Sequence, residues 1–202
     1  MKLYFAPGAC SLAAHIVIEE AGVPHTLERV DLASHKTEHG EDYTKINPKG
    51  YVPALALDDG TLLTEVGVVL QYLSDQRKER RLMAEPGSLE RYRQMEWLSF
   101  ISTELHKQFS PLFRPDTPEV VKQQQLKLLG RRFDYISETL GQRPYLAGAE
   151  FTAPDAYLFT VLGWTDYLKI DTSPWPRLGE YRARIAARAA VQKTLKSEGL
   201  VK

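Results

Sequence analysis

Short strand-like and helix-like segments alternate in the first part of the chain, and everything after Ser88 has helical periodicity. Lys2-Leu3-Tyr4-Phe5 alternates as a strand does. Pro7-Gly8 breaks the chain, and Leu12, Ile16 and Val17 then recur at helical spacing until Gly22, a C-terminal stop. Residues 27–32 read as a second strand and Ala54-Leu55-Ala56-Leu57 as a third. Asp58-Asp59-Gly60 is a hairpin turn, since glycine tolerates the positive φ required there, and Thr61-Leu62-Leu63 closes the hairpin. Val66, Val69, Leu70 and Leu73 predict a helix after it. This order fits a small α/β sandwich.

The charged run 77–87, ending in Pro86-Gly87, reads as a linker between a domain at 1–76 and an all-helical domain at 88–202. In the latter, Trp97, Leu98, Ile101 and Leu105 form one apolar helix face. Leu126, Leu129, Phe133, Ile136 and Leu140 form another, stopped by Gly141. Phe151-Thr152-Ala153-Pro154-Asp155 reads as a helix start, with Thr152 as cap and Asp155 in the third position of a capping box.

Composition narrows the classes. With 202 residues and 43% hydrophobic content, the chain can build a packed core. Its 26 basic and 26 acidic residues cancel, so the basic footprint of a nucleic-acid binder is missing and no nucleic-acid partner is expected. No apolar run is long enough for a membrane span, and the N-terminal apolar stretch is too short for a signal peptide. A single cysteine cannot form an internal disulfide, which suits a reducing cytoplasm.

That cysteine is the first residue with chemistry. Cys10 follows a strand and a Pro-Gly turn and stands at a helix start, with Ser11 a candidate N-cap. Helix N–H groups and the helix dipole favour a thiolate there, although a lone cysteine is more often inert filling. His106 ends a polar stripe of Glu96, Ser99, Thr103 and His106, bordered by Glu104 and Lys107. Such a stripe faces either water or a cleft. Gly50-Tyr51-Val52-Pro53 is an ordinary turn or, with a cis Val52-Pro53 bond, a backbone edge for a peptide. Thr64-Glu65-Val66 opens a helix whose N–H groups can bind a carboxylate while Glu65 takes an ammonium group; the plainer reading makes Thr64 an N-cap. His35 and His39 lack a third ligand, so no metal is expected.

Tyr4-x-x-Pro7-Gly8-Ala9-Cys10-Ser11, residues 47–55 (NPKGYVPAL), Thr64-Glu65, Glu104-Leu105-His106-Lys107 and Phe151-Thr152-x-x-Asp155-Ala156-Tyr157-Leu158-Phe159 together resemble the beta class of bacterial glutathione transferases along the whole chain. Each motif alone is weak; their order and spacing are specific. The resemblance implies a thioredoxin-like α/β domain followed by an all-α helical bundle, active as a homodimer. It also implies glutathione as cosubstrate, conjugated to a small electrophile, with thiol-disulfide exchange through Cys10 as a second reaction. By the same resemblance Cys10 and His106 are catalytic and face the glutathione sulfur. Ser11, His35, Tyr51, Val52, Pro53, Glu65, Val66, Ser99, Thr103, Glu104 and Lys107 are then glutathione-binding, some acting across the dimer interface. The family often has Ser or another small residue at Val66, and commonly Asn at Ser99 and Lys at His35, so the resemblance implies that the glycyl carboxylate meets His35, Lys36 or both. Phe109, Phe113, Trp164 and Tyr167 are candidates for an apolar cosubstrate wall. The rival reading is a non-catalytic glutathione- or hydrophobe-binding regulatory module of the same fold.

Overall fold

A computed structural model describes residues 1–201. The chain forms two compact units, Met1–Met83 together with the closing stretch from Arg188, and Ala84–Ala187. The return of the C-terminus to the first unit departs from the expected second domain at 88–202.

In the first unit, β1 (Lys2–Phe5) leads through the Pro7-Gly8 turn into α1 (Ser11–Ala21). Gly22 takes the left-handed conformation after α1, and its N–H reaches back to Glu19, while Val23 N–H reaches Ile18. That pairing satisfies carbonyls the helix end would leave orphaned. β2 (Thr26–Asp31), β3 (Lys36–Thr37), α2 (Tyr43–Ile46), β4 (Ala54–Ala56), β5 (Leu62–Thr64) and α3 (Val66–Asp75) follow. The sheet order is β3-β2-β1-β4-β5, with β1 and β2 parallel and every other pair antiparallel. The β4–β5 hairpin turns at Gly60, φ 86°. β3 and α2 were not expected: two and four residues in a polar stretch carry no readable period.

Both faces of the sheet are covered. Tyr4, Val30, Tyr43, Val52 and Ala54 form one buried cluster. Leu3 and Phe5 alternate with Tyr4, and the Phe5 ring meets His15 of α1 on the other side, 5.8 Å between centroids. Helix α9 (Ala189–Ser197) completes this unit by packing on α1. Arg188 Nε donates to Glu20 at 2.6 Å and Lys193 to Glu19 at 2.7 Å.

Burial pushes the Tyr43 phenol up to about 12. Its hydroxyl donates to the Tyr51 carbonyl at 2.7 Å. The unfolded phenol ionises near pH 10, so this stability is fully present below pH 10 and is lost as pH rises through about 12. Between pH 9 and 11 the wild type should therefore lose about 1 kcal/mol more in urea unfolding than Tyr43→Phe does. Equal losses would contradict the buried, protonated phenol.

The second unit is helical: α4 (Leu89–Phe100), a π-helical stretch (Ile101–His106), α5 (Lys107–Phe109), a 3-10 turn (Ser110–Phe113), α6 (Glu119–Leu140), α7 (Ala153–Tyr167) and α8 (Pro176–Ala186). Trp97, Leu98, Ile101, Leu105, Leu129, Phe133 and Ile136 are buried as their spacing predicts. α7 is the central helix, buried along most of its length. Its start is held by Asp155, whose Oδ2 accepts from Thr152 N–H and hydroxyl, both at 2.8 Å. Oδ1 accepts from Leu146 N–H at 2.9 Å and the Tyr181 hydroxyl at 2.8 Å. Among the described residues no helix is long and apolar enough to cross a membrane.

Candidate functional site

The first unit gathers residues from three loops at one end of its sheet. Cys10 precedes α1 with helical backbone angles, and its Sγ donates to the Val52 carbonyl at 2.9 Å. A carbonyl only accepts, so in this contact the thiol hydrogen points at Val52. Ser11 is not the cap that its position suggested. It is fully buried inside the first helical turn, and its hydroxyl lies 3.1 Å from Ala6 N and 3.2 Å from Ala6 O. Its hydroxyl ties the helix start to the end of β1. Gly8 N–H donates to Glu198 Oε2 at 2.9 Å, which fixes the turn before Cys10 from the C-terminal stretch.

The Val52-Pro53 bond is cis. Val52 and Pro53 are buried and Tyr51 is exposed. The Tyr51 carbonyl is held by Tyr43 and by Asn47 Nδ2, each at 2.7 Å. Gly50 just before it has φ 68°, and a Cβ there would lie 3.0 Å from the His35 ring. A side chain there would be strained by the positive φ and would push on His35, which favours glycine. His35 itself has φ 53° and is exposed, as is Lys36. His39 goes elsewhere, with Nδ1 2.7 Å from Glu28 Oε1.

Glu65 precedes α3 with φ 70° and ψ 121°. Such a conformation costs a non-glycine residue of order 1–3 kcal/mol and collects at functional positions. Thr64 is not the cap of α3; it is the last residue of β5, and its hydroxyl accepts from Lys49 Nζ at 3.0 Å. The same ammonium lies 2.6 Å from Glu65 Oε1. The carboxylate expected to take a ligand ammonium thus already holds one from the protein. Lys49 was not foreseen, because nothing local links it to a residue sixteen positions on. Val66, the first residue of α3, is buried.

In the second unit the polar stripe divides. Glu96, Ser99 and Thr103 are exposed, whereas His106 is half-buried. The π turn carries an extra residue per turn and rotates His106 away from the stripe, a device frequent at functional sites. Its Nδ1 lies 2.7 Å from the Tyr157 hydroxyl, and its ring stands 4.9 Å from Trp164, edge to face. Trp164 also meets Phe109 and Phe113, and Phe113 meets Tyr167. Phe109 is fully buried core, while Phe113 and Tyr167 are exposed. Thr103 donates to the Ser99 carbonyl at 3.1 Å. Glu104 is paired with Arg132 Nε at 3.0 Å, and Lys107 is exposed. No period in the sequence announces the π turn or the Tyr157 partner.

Comparisons with known proteins identify the family. Residues 8–76 match the model of the glutathione S-transferase N-terminal domain, and residues 100–189 that of the C-terminal domain. The chain is 48% identical to the glutathione S-transferase GstA of Escherichia coli O157:H7, over 99% of this chain and all of that protein. A solved glutathione transferase from Methylococcus capsulatus is 56% identical with a TM-score of 0.98, covering 99% of each chain. The bacterial beta-class glutathione S-transferase of Sphingomonas chungbukensis is 44% identical with a TM-score of 0.96, covering all of both chains. A thioredoxin-like unit with Cys10 at its first helix, an all-helical unit with His106 on a π turn, and identity of this extent along the whole chain place the protein in the glutathione S-transferase family, in its bacterial beta class.

Proposed function

We propose that the protein joins the thiol of glutathione to small electrophiles, with Cys10, Val52, Pro53, Glu65, Val66 and His35 forming the glutathione site of the first unit. The observation that carries this reading is the Cys10 thiol held 2.9 Å from the Val52 carbonyl. It puts a thiol donor, which would turn from the Val52 carbonyl to a bound sulfur, next to the backbone that pairs with the cysteinyl part of glutathione in the family. A neutral thiol beside a bound thiolate donates a hydrogen bond without like-charge repulsion. Glu65 receives the glutathione ammonium after exchanging it for Lys49. That exchange is cheap, since an exposed ion pair is worth about 0–1 kcal/mol. Tyr51, Ser11, Ser99, Thr103, Glu104 and Lys107 support the site by resemblance. Ser11 does so through the position of Cys10, because its hydroxyl is committed to Ala6.

His106 is the second catalytic residue in this reading. In this reading the Tyr157 hydroxyl, 2.7 Å away, donates to Nδ1, which puts the imidazole proton on Nε2 and makes that nitrogen a donor for a thiolate. Phe113 and Tyr167 offer apolar surface for an electrophile. The family's homodimer and a reducing cytoplasm belong to the same proposal; a single-chain mass in sedimentation would remove the dimer.

The strained Glu65 supplies the test. Glu65→Gly relieves the positive φ but deletes the carboxylate. The variant should therefore melt no lower than the wild type, while calorimetry shows glutathione bound at least about tenfold more weakly. Unchanged affinity would remove Glu65 from the site.

A further inference from the structure

We propose that His15, Glu19 and His25 form a binding site for a divalent ion of the zinc type, independent of the glutathione reaction. His15 and Glu19 are four residues apart on one face of α1. The left-handed Gly22 ends that helix and turns the chain so that His25 comes back beside them. One ligand atom from each of the three lies within 4.8 Å of the others.

The protonation pattern points to a metal. His25 Nδ1 lies 2.8 Å from the Val23 carbonyl, which only accepts, so Nδ1 carries the proton and Nε2 the lone pair. His15 Nδ1 lies 2.8 Å from Glu198 Oε1, whose other oxygen takes the Gly8 N–H. That carboxylate places the His15 proton on Nδ1 as well. An imidazole with one nitrogen donating to a carboxylate or a carbonyl is the usual form of a metal-ligating histidine. His15 Nε2 is then a buried acceptor with no hydrogen-bond partner. His25 Nε2 faces Glu19 Oε1 at 3.7 Å, too far for a hydrogen bond. Glu19 Oε2 is held by Lys193 Nζ at 2.7 Å, which leaves Oε1 for the site. With both histidines in that tautomer the cluster offers three acceptors, a set that a cation satisfies. Two imidazoles and a carboxylate with a fourth position for water suit Zn2+. Tetrahedral donors at Zn2+ distances stand about 3.3 Å apart, so small rotations of His25 and Glu19 close the set.

A second cluster, Glu28, Glu38 and His39, lacks this feature. Glu28 is already bound by His39 and Lys2, and Glu38 accepts the Arg29 N–H. An ion at His15 would couple α1 to the C-terminal stretch through Glu198, so binding should also raise the melting temperature.

The test uses untagged, chelator-treated full-length protein. Calorimetric titration with ZnCl2 should give one saturable site per chain and a higher melting temperature. His25→Ala and Glu19→Gln, both near the surface, should each weaken binding at least tenfold and lose the thermal shift, whereas His39→Ala should change neither. Co2+ should give tetrahedral visible bands without a sulfur-to-metal charge-transfer band, which separates this site from Cys10. No saturable binding, binding that survives both His25→Ala and Glu19→Gln, binding lost in His39→Ala, or a sulfur-to-cobalt band would each overturn the proposal.

Discussion

Cys10→Ala is expected to abolish glutathione-dependent disulfide exchange while leaving conjugation measurable. In the exchange proposed here, the Cys10 thiol gives up its proton and its sulfur attacks a mixed disulfide of glutathione. A Cys10–glutathione disulfide forms, and the other thiol leaves as a thiolate that takes up a proton. A second glutathione thiolate then attacks that bond, releasing oxidised glutathione and regenerating Cys10. No other cysteine in the chain can replace it. In conjugation the nucleophile is the glutathione sulfur, and Cys10 in its proposed role is only a donor to it, its thiol turning from the Val52 carbonyl. Losing one donor costs about 1–3 kcal/mol, roughly a 5- to 150-fold fall in rate. His106→Ala should lower both reactions by a similar factor, because the role proposed for its Nε2, a donor to the glutathione sulfur, is common to both. Assays of both reactions in both variants separate the roles. Conjugation lost and exchange spared in Cys10→Ala would show them to be reversed.

The largest effect on stability is expected at Asp155. Its carboxylate is fully buried and accepts from Leu146 N–H, Thr152 N–H and hydroxyl, and the Tyr181 hydroxyl. Burial pushes this carboxyl above the ordinary range, and its four donors pull it back. Asp155→Ala deletes the acceptor and strands all four donors in a site closed to water. Leaving such groups unsatisfied costs about 3–5 kcal/mol, far above the ~1 kcal/mol of an exposed cap. For a chain of this size that lowers the melting temperature by about 10 °C. Tyr181→Phe removes one donor together with its need for a partner and should cost about 1–2 kcal/mol. A drop of only 1–2 °C in Asp155→Ala would mean that the cap is not holding the buried helix.

The Asp155 motif was legible because its parts lie within five residues. The Gly22 stop, the hairpin at Asp58-Asp59-Gly60 and the apolar faces of α4 and α6 were legible for the same reason, each being a local pattern. What the sequence hid depends on partners distant in the chain or on phase. Ser11 has the right residue type for a cap but spends its hydroxyl on Ala6, and Thr64 likewise faces Lys49. The positive φ of Glu65 has no residue signature, since glycine is the usual occupant of such a position. The π turn shifts the phase of a pattern that otherwise reads as one continuous helix, so His106 appeared to lie along a stripe that it leaves. His35 and His39 are paired by spacing alone: His39 meets Glu28, and the structure assembles His15 with Glu19 and His25 instead. The last helix packs on the first through pairs such as Arg188 with Glu20, 168 positions apart, which no local pattern can show.

The central claim, an enzyme that conjugates glutathione, is tested most directly by steady-state turnover of the purified wild-type protein with glutathione and an activated chloronitrobenzene. The account predicts conjugation that saturates in both substrates and falls in His106→Ala. Retention on immobilised glutathione with no turnover above the uncatalysed rate would contradict it and leave a binding module.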